Sequence, residues 1–132
     1  GMSMDNGINE KLVRLAKLAM EDSYSPYSEF KVGAAIYTAS GNIYTGCNVE
    51  NASYGACICA ERTAAVKAVS NKDLCFKKIA IVSSSGEYTY PCGICLQFLS
   101  EFMENGVIIL NDDNEGIKEV EFDRLFPNAF KL

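Results

Sequence analysis

Two short cysteine-bearing segments hold the residue types in this sequence that are best suited to chemistry. They read CICAER at 57–62 and PCGICLQ at 91–97. Each segment is predicted to begin a helix, where free backbone amides and the helix dipole lower the pKa of a thiol and favour the thiolate that a metal requires. Zinc prefers tetrahedral coordination and accepts sulfur ligands, so the two segments together predict a zinc site.

The spacing of three cysteines and one carboxylate favours a catalytic site. Cys92 and Cys95 are three residues apart, so one helical turn points both thiols the same way. With Cys59 they would give zinc three protein ligands and leave a fourth position for water, as in catalytic zinc sites. Glu61 follows Cys59 by two residues, where a carboxylate can transfer protons to and from an activated water.

Two other interpretations of these cysteines are compatible with the sequence. Cys57 could be the fourth ligand of a closed structural zinc site, although Glu61 would then have no purpose. A redox pair formed by Cys92 and Cys95 would suit a reducing cytosol, but it leaves Cys59 and Glu61 unexplained.

The composition excludes several functional classes. The 132 residues include no histidine, which removes Ser-His-Asp triads, Cys-His proteases and histidine-based zinc motifs. The net charge of −5 argues against a nucleic-acid partner, since phosphate binding needs clustered Lys and Arg.

We expect no membrane span, because no run of 18 apolar residues exists. The charged N-terminal segment is unlike a signal peptide, so we expect a cytoplasmic chain, with Cys47, Cys57 and Cys75 as small buried residues.

Hydrophobic periodicity predicts eight elements in the order α-β-β-α-β-α-β-β, which is typical of a three-layer α/β domain. The length fits a single domain over 1–132. Gly1 before Met2 is typical of a tag remnant, and we expect 1–7 to be that remnant and a disordered N-terminus. Phe126 and Phe130 are four residues apart, so one helical turn is predicted to present both to a partner. The predicted helices are 8–21, 59–69 and 91–104, and the predicted strands are 30–38, 43–47, 78–83, 107–110 and 117–122.

The pattern C-x-E followed by P-C-x-x-C is the signature of zinc nucleobase deaminases. The surrounding segments YSPYS (24–28), FKVGAA (30–35), GCNVEN (46–51) and CAERT (59–63) resemble the small bacterial cytidine deaminases with three zinc cysteines. The likeness runs from about residue 11 to Phe130. It implies an α/β/α cytidine-deaminase-like fold with a central five-stranded mixed sheet, one zinc ion per chain and a homotetramer.

The resemblance also assigns roles to individual residues. Cys59, Cys92 and Cys95 match the zinc ligands, Glu61 matches the proton shuttle, and Arg62 matches a residue that tunes the charge of the zinc site. The residues that match substrate contacts are Asn48 and Glu50 for the ribose 3′-hydroxyl, Phe30 for the pyrimidine face, the Ala60 backbone for the base, and Tyr54 and Phe130 near the nucleoside pocket, with Phe130 supplied by a neighbouring subunit.

The activity implied is the hydrolytic deamination of cytidine and deoxycytidine in pyrimidine salvage, with release of ammonia. One rival is a related deaminase of a cytosine-containing antibiotic such as blasticidin S, although Asn48 and Glu50 favour a ribose hydroxyl. A second rival is a non-enzymatic binding module stabilised by structural zinc. One residue departs from the family pattern: Leu96 stands where the family usually has Arg, directly before Gln97.

Overall fold

The structure, a computed structural model, describes the backbone of residues 2–132 and the side chains of residues 7–132. Gly1, the predicted tag remnant, lies outside the described residues, and so do the side chains of residues 2–6. The backbone is helical from Met2, so the first helix begins before the predicted residue 8. Among the residues described, no helix is both long and apolar enough to cross a membrane.

A five-stranded mixed sheet forms the centre of the fold, as the sequence predicts. Its strands are β1 (Val32–Thr38), β2 (Ile43–Cys47), β3 (Phe76–Ser83), β4 (Val107–Asp112) and β5 (Gly116–Glu121). They lie in the order β2-β1-β3-β4-β5. The β3–β4 pair is parallel and the other neighbouring pairs are antiparallel. Strand β3 is central and covered on both faces, which explains its nearly continuous apolar sequence.

Helices cover both faces of the sheet and complete the three predicted layers. They are α1 (Met2–Met20), α2 (Ala60–Ser70), α3 (Gly93–Leu99) and the short α4 (Phe122–Leu125), with a 3₁₀ turn at Tyr54–Ala56. Side chains of each strand alternate between the two faces, so each face has its own core. One core joins α1 to Ala35, Ala80 and Ile109, and the other joins α2 and α3 to the opposite face.

The topology brings the first turns of α2 and α3 together. Strands β2 and β3 both run antiparallel to β1, so their carboxyl ends lie at the same edge of the sheet. Helix α2 follows β2 in the chain and α3 follows β3, so both helices begin near this edge. The two predicted cysteine segments therefore meet in space although about 30 residues separate them.

Helix α3 is much shorter than the predicted 91–104. It begins after Cys92, whose backbone is extended, and it ends at Leu99. The chain then turns, and the Phe102 carbonyl accepts a hydrogen bond of 2.9 Å from the Phe76 amide while the two rings pack 5.2 Å apart. Tertiary contacts with β3 thus override the helical propensity of residues 100–104.

The prediction that Phe126 and Phe130 share one helical turn is wrong. Helix α4 ends at Leu125, and Phe126, with a φ of −144°, is outside the helical region. Phe126 precedes Pro127, and the proline ring disfavours helical backbone at the residue before it. Phe126 packs against the core, whereas Phe130 is 68% exposed.

Candidate active site

The sulfur atoms of Cys59, Cys92 and Cys95 lie within 4.8 Å of one another at the paired helix starts. Cys59 caps α2 and Cys92 caps α3, both with extended backbone, and Cys95 lies in the first turn of α3. The Sγ atoms of Cys59 and Cys92 are 3.8 Å apart. This three-thiol set suits a zinc ion, whose ligand sphere would then keep one position for water.

Cys57 is engaged elsewhere and does not complete a four-sulfur site in the described part of the chain. Its Sγ accepts a hydrogen bond of 3.2 Å from the Asn51 amide and lies 3.5 Å from the Asn51 carbonyl, to which it donates. These contacts close the loop 51–57 on itself. The geometry therefore favours an open three-cysteine site over the closed structural site.

Arg62 supplies a positive charge that makes the sulfur set fit a metal. Its Nη2 lies 3.7 Å from Cys59 Sγ, and its guanidinium interacts with Cys95 as well. Three thiolates around one dication leave a net negative charge, which a neighbouring guanidinium offsets. Arg62 Nε is buried and has no hydrogen-bond partner among the described residues, so the guanidinium retains a free donor next to the thiols.

Cys59 and Cys95 share one proton unequally. A hydrogen bond from Cys95 lowers the pKa of the Cys59 thiol to about 5, and Arg62 and Cys92 lower it further against the effect of burial. The hydrogen bond to Cys59 and burial raise the pKa of Cys95 above its usual range, because Cys95 keeps the shared proton. Of this pair, Cys59 is therefore the thiol that ionises first.

Glu61 is buried at the start of α2, next to the sulfur atoms. It is 4% exposed, and burial raises the pKa of its carboxyl to about 7, with a smaller contribution from the Cys59 thiolate. A carboxyl group with a pKa near neutrality can both accept and donate a proton. The structure thus brings together Glu61 and the three predicted zinc ligands.

Asn48 follows β2 directly and is held by three hydrogen bonds. Its Oδ1 accepts from the Ser23 hydroxyl (2.5 Å) and the Val32 amide (2.8 Å), and its Nδ2 donates to the Phe30 carbonyl (2.8 Å). Both oxygen lone pairs are thereby used, and one N–H remains. Asn48 can therefore act on a ligand only as a donor.

Glu50 can act on a ligand as a hydrogen-bond acceptor, which complements the donor of Asn48. Its Oε1 accepts hydrogen bonds from the amides of Tyr27 (3.0 Å) and Ser28 (3.1 Å), and its Oε2 accepts from the Ser28 hydroxyl. These contacts leave one acceptor site on Oε2. Asn48 thus offers a donor and Glu50 an acceptor, and a hydroxyl group can bond to both kinds of partner.

The other predicted contact residues lie in three places. Phe30 precedes β1 and is 41% exposed, and Ala60 is the buried first residue of α2. Tyr54 is 76% exposed in the 3₁₀ turn, where its ring packs edge-on against Tyr27. Phe130 is near the C-terminus, and its carbonyl accepts a hydrogen bond of 3.1 Å from Gln97 Nε2 on α3.

This chain is similar in sequence and in fold to known deaminases. The family model described as the cytidine and deoxycytidylate deaminase zinc-binding region matches residues 7–111. The cytidine deaminase of Sporosarcina psychrophila is 43% identical over 92% of this chain and 90% of its own length. This chain belongs to the cytidine and deoxycytidylate deaminase family.

Solved structures of this deaminase family agree with the fold. A crystal structure of cytidine deaminase from Burkholderia pseudomallei has a TM-score of 0.85 and 40% identity, covering 92% of this chain and 98% of that one. The Mycobacterium tuberculosis enzyme gives a TM-score of 0.80 at 35% identity, with coverage of 93% and 97%. The family binds zinc, and the cluster of Cys59, Cys92 and Cys95 is able to hold it.

Three cysteines of this deaminase differ from the sequence prediction. Cys47 and Cys57 are only half-buried, and Cys75 is exposed. Cys75 directly precedes β3, where Phe76 points into the core, so the alternation of a strand directs Cys75 outward. Leu96 packs against the core cluster between the sheet, α2 and α3.

Sequence reasoning missed Ser23 and Ser28, which hold Asn48 and Glu50 in place. Both serines lie in or beside the segment 24–28 that carries the family resemblance. Neither has a sequence signal of its own, because a serine in a turn ordinarily bonds its local backbone.

Proposed function

We propose that this chain catalyses the hydrolytic deamination of cytidine and deoxycytidine to uridine and deoxyuridine, with release of ammonia. The observation that carries the proposal is the buried Glu61 beside a three-thiol cluster that leaves one ligand position open. A structural zinc site needs four ligands and has no use for a buried carboxylate at its edge. The reaction class is hydrolysis of a cyclic amidine C–N bond.

Cys59, Cys92 and Cys95 would hold the zinc ion, which when bound acts as a Lewis acid toward water. Glu61 accepts the proton that water loses and donates it to N3 of the cytosine ring. Protonation at N3 makes C4 electrophilic, and the water oxygen adds to C4. Glu61 then passes the second water proton to the exocyclic nitrogen, the C4–N bond breaks, and ammonia leaves. The raised pKa of Glu61, about 7, suits a group that both accepts and donates.

The sugar and the base would be held by residues at the end of β2 and the start of β1. The free N–H of Asn48 and the free acceptor site of Glu50 match one ribose hydroxyl, assigned as the 3′-hydroxyl. Phe30 would pack on the pyrimidine, the Ala60 backbone would contact the base, and Tyr54 would line the pocket. This use of Asn48 and Glu50 favours a nucleoside over a blasticidin-type antibiotic.

The working enzyme would be a homotetramer formed by single deaminase domains over 1–132. Phe130 is exposed in the single chain, and an aromatic ring near a C-terminus is suited to fill a neighbouring subunit's pocket. The proposed cellular role is pyrimidine salvage in the cytoplasm. The negative net charge argues against a nucleic-acid substrate, because binding to phosphates needs clustered Lys and Arg.

The direct test is turnover by the zinc-loaded protein. Cytidine and deoxycytidine should release ammonia stoichiometrically with uridine and deoxyuridine, and metal analysis should give about one zinc per chain. Free cytosine should be a poor substrate, because the groups that bond the sugar hydroxyl would be left unpaired. Blasticidin S as the preferred substrate would support the antibiotic rival. A zinc-loaded protein that turns over none of these compounds would support the structural module.

A further inference from the structure

The turn over residues 24–31 contains a residue in an unfavourable backbone conformation. Glu29 has a φ of 60°, in the left-handed region that side chains with a Cβ rarely adopt. Such strain persists only where the surroundings hold it, and it concentrates at binding sites. The residues on either side, Ser28 and Phe30, are joined by a hydrogen bond of 3.0 Å from the Phe30 amide to the Ser28 hydroxyl.

Ser28 is also the main partner of the Glu50 carboxylate. Its amide donates to Oε1 at 3.1 Å, and its hydroxyl donates to Oε2. One hydroxyl group therefore links the carboxylate proposed to bind the sugar with the backbone of the residue proposed to pack on the base. The Tyr27 amide reaches only Oε1, so the orientation of Oε2 depends on the Ser28 hydroxyl.

We propose that Ser28 is a positioning residue for the nucleoside: its hydroxyl fixes Glu50 Oε2 so that the free acceptor site meets the sugar 3′-hydroxyl. This inference rests on the proposed function. The electrostatics agree, because the hydrogen bond from Ser28 is the largest contribution that lowers the pKa of Glu50, which keeps the acceptor ionised. Ser28 itself would touch neither the substrate nor the metal.

The role is separable from folding because Ser28 is exposed and outside both cores. In Ser28→Ala, Glu50 keeps its two backbone donors on Oε1 but loses the partner of Oε2. Ser28→Thr retains a hydroxyl and should rescue the variant. Ser84→Ala is a matched control, since it removes a serine hydroxyl that bonds the Lys31 amide in the same turn, at 3.0 Å, without touching Glu50.

The experiment compares these variants on cytidine, deoxycytidine and 2′,3′-dideoxycytidine, which lacks the 3′-hydroxyl. Ser28→Ala should raise KM for cytidine and deoxycytidine about tenfold, as expected for a bond to a charged acceptor, while kcat changes less than about twofold. Its KM for 2′,3′-dideoxycytidine, or its inhibition constant where turnover is slow, should equal that of the parent protein. Ser28→Thr and Ser84→Ala should match the parent on cytidine and deoxycytidine, and the calorimetric Kd of uridine should follow the same pattern.

Two results would overturn the inference: an unchanged KM for cytidine in Ser28→Ala, or an equal loss on all three substrates, which would mean a purely structural role. Glu50→Gln separates this inference from the proposed function. If Glu50→Gln raises KM for cytidine but Ser28→Ala does not, only the role of Ser28 fails. If Glu50→Gln leaves KM unchanged, the sugar-binding role of Glu50 fails, and the positioning role with it.

Discussion

The backbone of α2 at Ala64 passes directly over Gly46 of β2. A Cβ atom placed on Gly46 would lie 2.5 Å from the Ala64 amide nitrogen and 2.8 Å from the Ala60 carbonyl oxygen. Both distances are shorter than van der Waals contact, so only glycine permits this approach. Because α2 carries Cys59 and Glu61 at its start, the contact sets how the first cysteine segment lies relative to the sheet.

Gly46→Ala should therefore disturb both the fold and the metal site. The added methyl group overpacks the contact and forces the helix backbone away from the sheet. Overpacking of this kind typically lowers the free energy of unfolding by about 1–3 kcal/mol. We expect a lower melting temperature and faster loss of zinc to a chelator, both measured on the purified zinc-loaded protein. Gly7→Ala in α1 is the control, because nothing lies within 4 Å of its added Cβ, and it should gain about 0.5–1 kcal/mol. Equal stability of the two variants would contradict the close-contact argument.

Glu61→Gln should abolish most turnover while leaving the zinc site occupied. The amide keeps the shape of the side chain but cannot carry protons, and loss of general acid–base catalysis alone is worth roughly 10²–10⁴ in rate. The measurements are kcat on cytidine and zinc content by metal analysis. Glu101→Gln, at an exposed carboxylate after α3, should leave both unchanged. Turnover of Glu61→Gln within a few-fold of the parent would remove Glu61 from the mechanism.

The element order could be predicted from sequence because each element has a strong local pattern. Strand β2 is predicted at its observed bounds and α2 to within a residue, because turn residues 40–42 precede β2 and an alanine-rich run marks α2. The end of α3 could not be predicted, because it depends on Phe102 packing against Phe76, which lies 26 positions earlier in the chain. The end of α4 does have a local signal in the sequence. Pro127 disfavours helical backbone at Phe126, and this effect outweighs the four-residue spacing of Phe126 and Phe130 that predicts a shared helical turn.

Some residues of the candidate site could be predicted from the sequence and others could not. Cys59, Cys92, Cys95 and Glu61 could be named because metal ligands and their carboxylate follow a short, recognisable spacing. The half-buried and exposed states of Cys47 and Cys75 could not, since the average burial of a residue type says little about one position. The serines that hold Asn48 and Glu50 gave no signal, because their partners lie more than 20 residues away.

A carboxylate far from the sulfur cluster ties the β1–β2 hairpin to the end of α2. Asp73 accepts hydrogen bonds from Ser40 (2.7 Å), Thr38 (2.9 Å), Asn42 (3.1 Å) and Tyr44 (3.1 Å). These donors, Ser40 most strongly, hold the pKa of Asp73 below its ordinary value of 3.8. A carboxyl whose pKa is lower in the folded state stabilises the fold above the unfolded pKa and loses that effect as pH falls through the folded one.

Asp73→Asn should accordingly melt at a lower temperature than the parent near pH 7, and the difference should narrow as the pH falls below about 4. Thermal unfolding followed by circular dichroism between pH 7 and pH 3 measures both melting temperatures. Asp22→Asn, at an exposed carboxylate after α1, should track the parent throughout. A difference between Asp73→Asn and the parent that stays constant down to pH 3 would show that the ionised form of Asp73 contributes nothing.

Phe130 offers a test of the proposed assembly. In the single chain its ring is 68% exposed while its carbonyl is bound to Gln97 on α3, so the backbone is anchored and the ring is uncovered. An anchored, exposed aromatic side chain is typical of an interface residue, and truncating such a residue costs about 2 kcal/mol, or about 30-fold in affinity. If the ring closes a neighbouring subunit's nucleoside pocket, its loss should weaken nucleoside binding and leave the sulfur cluster intact.

Phe130→Ala should thus raise KM for cytidine by about 30-fold and keep its full zinc content. Lys131→Ala is the control, because it changes the exposed neighbouring side chain and should behave as the parent. Light scattering coupled to size exclusion gives the mass at micromolar concentration, where we expect a tetramer for the parent.

Mixing two impaired variants tests whether the ring acts across the subunit boundary. Phe130→Ala subunits reassembled with Glu61→Gln subunits should recover activity, because the inactive partner's Phe130 completes the pocket of a subunit that has its own Glu61. A fully active monomer, or no recovery in the mixed assemblies, would mean that the ring serves only its own chain.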